Sequence, residues 1–76
     1  MRPDQLGDLA VFAAIASDRS FTRAAKRLGV TQSALSQTMK RLEGQLGFRL
    51  LSRTTRSVAP TAAGERLLAT LSPALA

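Results

Sequence analysis

The sequence predicts a mainly α fold: three helices, a small two-stranded hairpin, and one more helix at the C-terminal end. Three observations carry that expectation. Leu35, Met39, Leu42 and Leu46 recur at three- and four-residue steps, which gives one apolar stripe on a helix over 31–46. Ser20 before and Gly29 after the stretch Phe21–Leu28 are the start and stop marks of a second, shorter helix. Two short apolar runs, Arg49–Arg53 and Val58–Pro60, flank the polar turn Thr54–Ser57, as in a hairpin.

At the N-terminal end, Asp4 is placed to cap a first helix running to about Ser17. Leu6, Leu9, Phe12, Ala13 and Ala16 fall on one face of it and mark it as a core element. In the second helix Phe21, Ala24, Ala25 and Leu28 form the apolar face, and the two alanines are small enough to let another helix cross closely. Gly29-Val30 makes a tight turn, and Thr31 caps the third helix. Gly47 ends that helix, with Phe48 placed to pack back on its last turn. Pro60 lacks an N–H and confines the return strand to an edge or end position. Thr61 caps the last helix, which Pro73 is expected to kink or stop. Its leucines, Leu67, Leu68, Leu71 and Leu75, make an apolar strip with little chain left to cover it, so a partner helix is expected there.

Seventy-six residues, 45% of them hydrophobic, suffice for one small core. With no cysteine and no histidine, disulfides are excluded. Metal sites and catalytic constellations lack their usual ligands and bases. No metal or cofactor is expected, and Ser17, Ser20 and Ser36 have no histidine to activate them. No apolar run approaches the roughly 20 residues of a membrane span, and Met1-Arg2-Pro3-Asp4 opens without the apolar stretch of a signal peptide.

Charge is distributed unevenly. The chain carries +6 overall. Its middle segment holds Arg19, Arg23, Lys26, Arg27, Lys40, Arg41, Arg49, Arg53 and Arg56 against Glu43 alone. Such a segment suits a polyanion. The third helix turns Ser33, Ser36, Gln37, Lys40 and Gly44 to the side opposite its apolar stripe. Short hydrogen-bonding side chains and a bare backbone suit close approach to a flat polar surface, such as the base edges in a DNA major groove. A two-turn helix, a glycine turn and a longer helix with a polar outer face have the spacing of a helix-turn-helix. With arginines near the hairpin tip as a wing, the expected fold is a winged helix-turn-helix.

The residues assign themselves roles on that reading. Thr31 and Ser33 lie where a helix N-terminus favours a phosphate. Gln32 and Gln37 each offer a donor and an acceptor together, a fit to adenine N6 and N7. Ser36 can reach a base edge or a phosphate. Lys40, Arg53 and Arg56 are expected on phosphates, with Arg56 reaching toward the minor groove, and Arg23 and Lys26 could touch backbone from the second helix. Arg41 sits apart from the polar face and is placed to pair within the protein. Two rivals remain. A non-specific or RNA-binding module would normally show exposed aromatics for stacking, which are scarce here. A pure protein-interaction module leaves the basic segment unexplained.

Ser20-Phe21-Thr22-Arg23-Ala24-Ala25, Leu28, Val30 to Ser36, Arg41-Leu42-Glu43, Leu46-Gly47, Leu50-Leu51, Arg53 and Thr61-Ala62-Ala63-Gly64 together resemble the N-terminal domain of LysR-type transcriptional regulators. The resemblance implies a DNA-binding domain over 1–60 and a linker helix over 61–76 that pairs two subunits. It also implies that the chain is a fragment, stopping inside the linker, of a cytoplasmic, nucleoid-associated regulator. A small-molecule effector would then bind only a domain absent from this sequence. The base contacts it implies fall on Gln32, Ser33, Ser36 and Gln37, and the wing contact on Arg56. Many members have Pro at the position of Ser33, Arg at that of Gln37, and an aliphatic residue at that of Pro60, so base preference at Gln37 is not carried over. Two linked domains would set two recognition helices one DNA turn, roughly 34 Å, or a multiple of it apart, which implies an interrupted inverted repeat in duplex DNA.

Overall fold

The computed structural model describes residues 3–53 and 57–75, with side chains described for 7–53 and 57–70. Four helices and one antiparallel hairpin follow in order: α1 Pro3–Asp18, α2 Phe21–Leu28, α3 Gln32–Leu46, β1 Leu51–Arg53, β2 Val58–Pro60 and α4 Ala62–Leu75. The first helix starts earlier than its sequence suggests. Pro3 takes the opening turn, where a missing N–H does no harm, so Asp4 lies inside the helix instead of capping it.

Most helix ends are set by local chemistry. Ser20 Oγ accepts the Arg23 N–H at 3.1 Å, and Thr31 Oγ1 accepts that of Ala34 at 3.1 Å. Gly29 (φ 72°) closes α2, and the Val30 N–H reaches back to the Ala25 carbonyl at 3.0 Å. Gly47 (φ 82°) closes α3 by donating to the Glu43 carbonyl at 2.9 Å. Thr61 caps α4 through Gly64 N–H at 3.0 Å. Pro73 does not end α4, which runs on to Leu75. A proline this close to the C-terminal end removes one hydrogen bond and leaves little helix to be displaced. The α1–α2 connection is only Arg19 and Ser20, and Arg19 takes a left-handed conformation (φ 50°) to turn the chain.

The core is contiguous. Leu9, Phe12, Ile15 and Ala16 of α1 meet Phe21, Ala24 and Ala25 of α2 and Leu35, Met39 and Leu42 of α3, with Leu50 and Leu51 closing the end. Ile15, which the single-face reading of α1 leaves out, is fully buried because α2 and α3 both pack on that helix. Leu28 departs from expectation in the other direction. It is 43% exposed, since α2 ends there and nothing described covers its last turn. Leu46 is half-buried against the core. Phe48 is 46% exposed and lines a surface groove instead of folding fully onto α3.

Among the described residues, two ion pairs fasten the helices to one another. Arg27 Nη2 lies 3.1 Å from Asp18 Oδ2, and Arg27 also donates to the Ala14 carbonyl, which ties α2 to the end of α1. Arg41 grips Asp8 with two donors, Nη2 to Oδ1 at 2.9 Å and Nε to Oδ2 at 3.3 Å. Arg41 thus pairs within the protein, as its position off the polar face of α3 suggests. The Asp8 side chain is only 11% exposed, so the paired guanidinium compensates a mostly desolvated carboxylate.

The hairpin is short. Leu51 pairs with Pro60, Ser52 with Ala59, and Arg53 with Val58. Pro60 therefore sits at the end of a strand, where its missing N–H is tolerated. The Arg49–Leu51 segment that leads into it is held by both neighbouring helices. Glu43 Oε2 accepts the N–H groups of Leu50 (2.7 Å) and Leu51 (3.1 Å). From the other side Thr61 Oγ1 donates to the Arg49 carbonyl (2.7 Å), and the Thr61 N–H donates to that of Leu50 (2.9 Å). Gly64 passes so near that a Cβ there would collide with the Leu50 carbonyl oxygen and stand 3.3 Å from Phe12 Cζ.

Candidate nucleic-acid interface

The outer face of α3 follows from its two-sided sequence. Leu35, Met39 and Leu42 are buried, so the opposite side must face outward. Gln32, Ser33, Gln37, Lys40 and Gly44 are exposed there, and Ser36 is half-buried at the edge. Thr31 is also exposed, with its hydroxyl committed to the cap. A Cβ on Gly44 would meet nothing within 4 Å, so the bare backbone faces open space.

Besides Thr31, three predicted contact residues already have partners within the chain. Arg53 Nη2 donates to Ser36 Oγ at 3.0 Å, and its guanidinium lies 3.8 Å from the centre of the Phe21 ring. A flat cation over a ring face gains electrostatic attraction. Arg53 thereby joins the hairpin to both helices of the helix-turn-helix. Gln32 Nε2 donates to Thr22 Oγ1 at 2.6 Å, across the turn between α2 and α3. Sequence periodicity gave no sign of either contact, because both cross between elements. Thr22 and Phe21 thus enter the site as side chains that touch its candidate readers.

Arg53, Phe21 and Ser36 form the divide between two surface recesses. One, about 740 Å³, runs along α3 past Gln37, Lys40 and Gly44 to Phe48 and Arg49. The other, about 510 Å³ and more polar, opens toward Arg19, Ser20, Arg23 and Gln32. Basic groups therefore border the outer face of α3 on both sides. Among the described residues, Arg23, Lys26, Lys40 and Arg49 are exposed and have no acidic side chain within 4 Å. The field at this surface attracts a polyanion. Arg56 and the tip of the turn lie outside the described residues.

On α4, Leu67 and Leu68 are half-buried and pack partly on the domain's own core. The side chains of Leu71 and Leu75 lie outside the described residues. Among the described residues no cluster of three acidic side chains could hold a metal, and no helix is long and apolar enough to cross a membrane.

Comparison with known proteins agrees with this geometry. The family described as "Bacterial regulatory helix-turn-helix protein, lysR family" matches residues 6–65. The transcriptional regulator PgrR of Escherichia coli is 57% identical over 75 residues, 99% of this chain and 25% of its own length. A putative transcriptional regulator of Pseudomonas aeruginosa is 67% identical over 63 residues, 83% of this chain and 21% of its own. The chain thus spans about a quarter of the curated relatives it matches. Among solved structures, full-length AphB of Vibrio cholerae superposes with a TM-score of 0.89 at 32% identity, covering 99% of this chain and 25% of AphB. The CbnR DNA-binding domain, crystallised with DNA, gives a TM-score of 0.83 at 38% identity, over 90% of this chain and 78% of that one. The fold is a winged helix-turn-helix, a DNA-binding domain and not an enzyme, and the chain belongs to the LysR family of bacterial helix-turn-helix regulators.

Proposed function

We propose that this domain reads the sequence of duplex DNA, with α3 in the major groove and the hairpin on the sugar–phosphate backbone or in the minor groove. The observation that carries the reading is the outer face of α3. It is built from small or amide side chains and flanked on both sides by exposed cations. The 38% identity to a domain crystallised with DNA supports duplex DNA as the ligand. On this reading Gln32, Ser33, Ser36 and Gln37 address base edges, and Thr31, Lys40, Arg53 and Arg56 address phosphates or the groove wall.

One such domain makes few contacts. We therefore take residues 1–60 as the DNA-binding unit and 61–76 as part of a linker helix that pairs two copies. Leu67, Leu68, Leu71 and Leu75 form the apolar strip of that pairing. The target is then an interrupted inverted repeat. An effector would act through a further domain of a longer protein. The site of action is the nucleoid, in the cytoplasm. Selection from a pool of random duplexes at two salt concentrations tests this directly. Enrichment of an inverted repeat is expected. Salt-sensitive binding with no enriched sequence would mean that either this chain does not form the dimer or α3 reads no bases.

Two substitutions separate reading from attraction. Gln32→Ala should lower discrimination between the selected site and random DNA by about tenfold, the value of one good base contact, while random-DNA affinity holds. Equal losses on both duplexes would remove Gln32 from the readers. Arg56→Ala should weaken both duplexes and reduce the slope of log K against log salt by about 0.9. An unchanged slope would exclude a phosphate contact by the wing at that residue.

A further inference from the structure

We infer that Thr22 is a specificity-determining positioning residue: its hydroxyl tethers the Gln32 amide presented to DNA. The inference rests on the reading that α3 addresses base edges. Its own basis is the 2.6 Å hydrogen bond from Gln32 Nε2 to Thr22 Oγ1, between two exposed side chains on different helices.

Both ends of that bond are held by caps. Thr22 is the second residue of α2, just after the Ser20 cap and beside the buried Phe21 ring. Being β-branched, it has few side-chain rotamers available. Gln32 is the first residue of α3, directly after the Thr31 cap. The backbone on each side is therefore fixed, and the one soft part is the glutamine side chain with its three rotatable bonds. A free amide on such a chain samples many positions. A hydrogen bond to Thr22 restrains it to one place beside the start of α2. It commits one of the two Nε2 hydrogens. The other hydrogen and the Oε1 lone pairs stay available as an ordered donor–acceptor pair, the pattern adenine N7 and N6 require.

Neither side chain is charged. Loss of the Thr22 hydroxyl should therefore act on base discrimination and leave the salt dependence untouched. Thr22→Val keeps the shape and removes the hydroxyl, and Thr22→Ser restores it. With the 76-residue chain, affinities would be measured for the selected duplex, for duplexes changed one base pair at a time, and for random DNA. The variants are Thr22→Val, Thr22→Ser, Gln32→Ala and the Thr22→Val/Gln32→Ala pair. Thr22→Val is expected to lower discrimination about three- to tenfold, the range for releasing one ordered side chain. The loss should fall on the same base pair that Gln32→Ala affects. Thr22→Ser should behave as the parent, and the double variant should be no worse than Gln32→Ala alone. In the free domain, the Gln32 side-chain NH2 resonances should move toward those of a solvated amide in Thr22→Val and not in Thr22→Ser.

The outcomes divide cleanly. If Gln32→Ala changes discrimination and Thr22→Val does not, Thr22 does not position the reader. If Thr22→Val weakens every duplex alike, the hydroxyl is only a phosphate contact and the inference falls. If Gln32→Ala changes no base preference, the reading of Gln32 itself has failed, and the inference goes with it. The amide resonances decide the positioning contact in all three cases, without DNA.

Discussion

Gly64→Ala is expected to destabilise the domain by about 3 kcal/mol, the upper end of what overpacking a filled site usually costs. The added methyl has no space to enter. On one side it meets the Leu50 carbonyl oxygen, and on the other the ring of Phe12, which is fully buried. Leu50 cannot easily withdraw, because its N–H is bonded to Glu43 and its carbonyl to Thr61. Nor can α4 readily lift away, since Thr61 is tied to Arg49 as well. For a domain of this size the loss is a large share of the total stability. Urea unfolding followed by circular dichroism measures it as a lower midpoint. A loss below about 1 kcal/mol would mean that α4 shifts freely and that the approach at Gly64 is not constraining.

Glu43→Ala is expected to cost about 3 kcal/mol as well, by a different route. The carboxylate accepts two backbone N–H groups, and their residues, Leu50 and Leu51, are buried. Without the acceptor both donors are stranded away from water, and each buried orphan costs about 1–3 kcal/mol. Glu43→Gln keeps a neutral acceptor oxygen of the same reach, so its loss should be about 1 kcal/mol. The ordering of the two variants is the informative part. Equal, small losses from both would show that water satisfies these N–H groups and that Glu43 is not their partner.

Much of the fold was legible because helix termini are written locally. Ser20, Gly29, Thr31, Gly47 and Thr61 each act on backbone within a few residues, and each sits where its chemistry requires. The division of α3 into a buried and an outer face needed only periodicity. The exceptions share a cause. The exposure of Leu28 depends on how far neighbouring elements reach, not on its own spacing. In the sequence Glu43 is the lone acid of a basic segment, and nothing there indicates that its side chain closes a turn on buried backbone. Gly64 reads as a poor helix former until the Leu50 carbonyl is beside it. At the candidate interface, sequence alone gave the identity of Gln32, Ser36 and Arg53 as surface groups. Their partners, Thr22 and Phe21, are fixed by how α2 lies against α3 and against the hairpin, and could not be inferred from spacing.

The three-residue segment Arg49–Leu51 has a mechanical meaning. It is gripped at its N–H groups by α3 and at its carbonyls by the start of α4, and the hairpin both departs from it and returns beside it, with Leu51 opposite Pro60. The hairpin is therefore a loop on a rigid collar, not a hinge between the last two helices. The last turn of α3 and the first turn of α4 are thereby joined through one short stretch of backbone, by Glu43 on one side and Thr61 on the other.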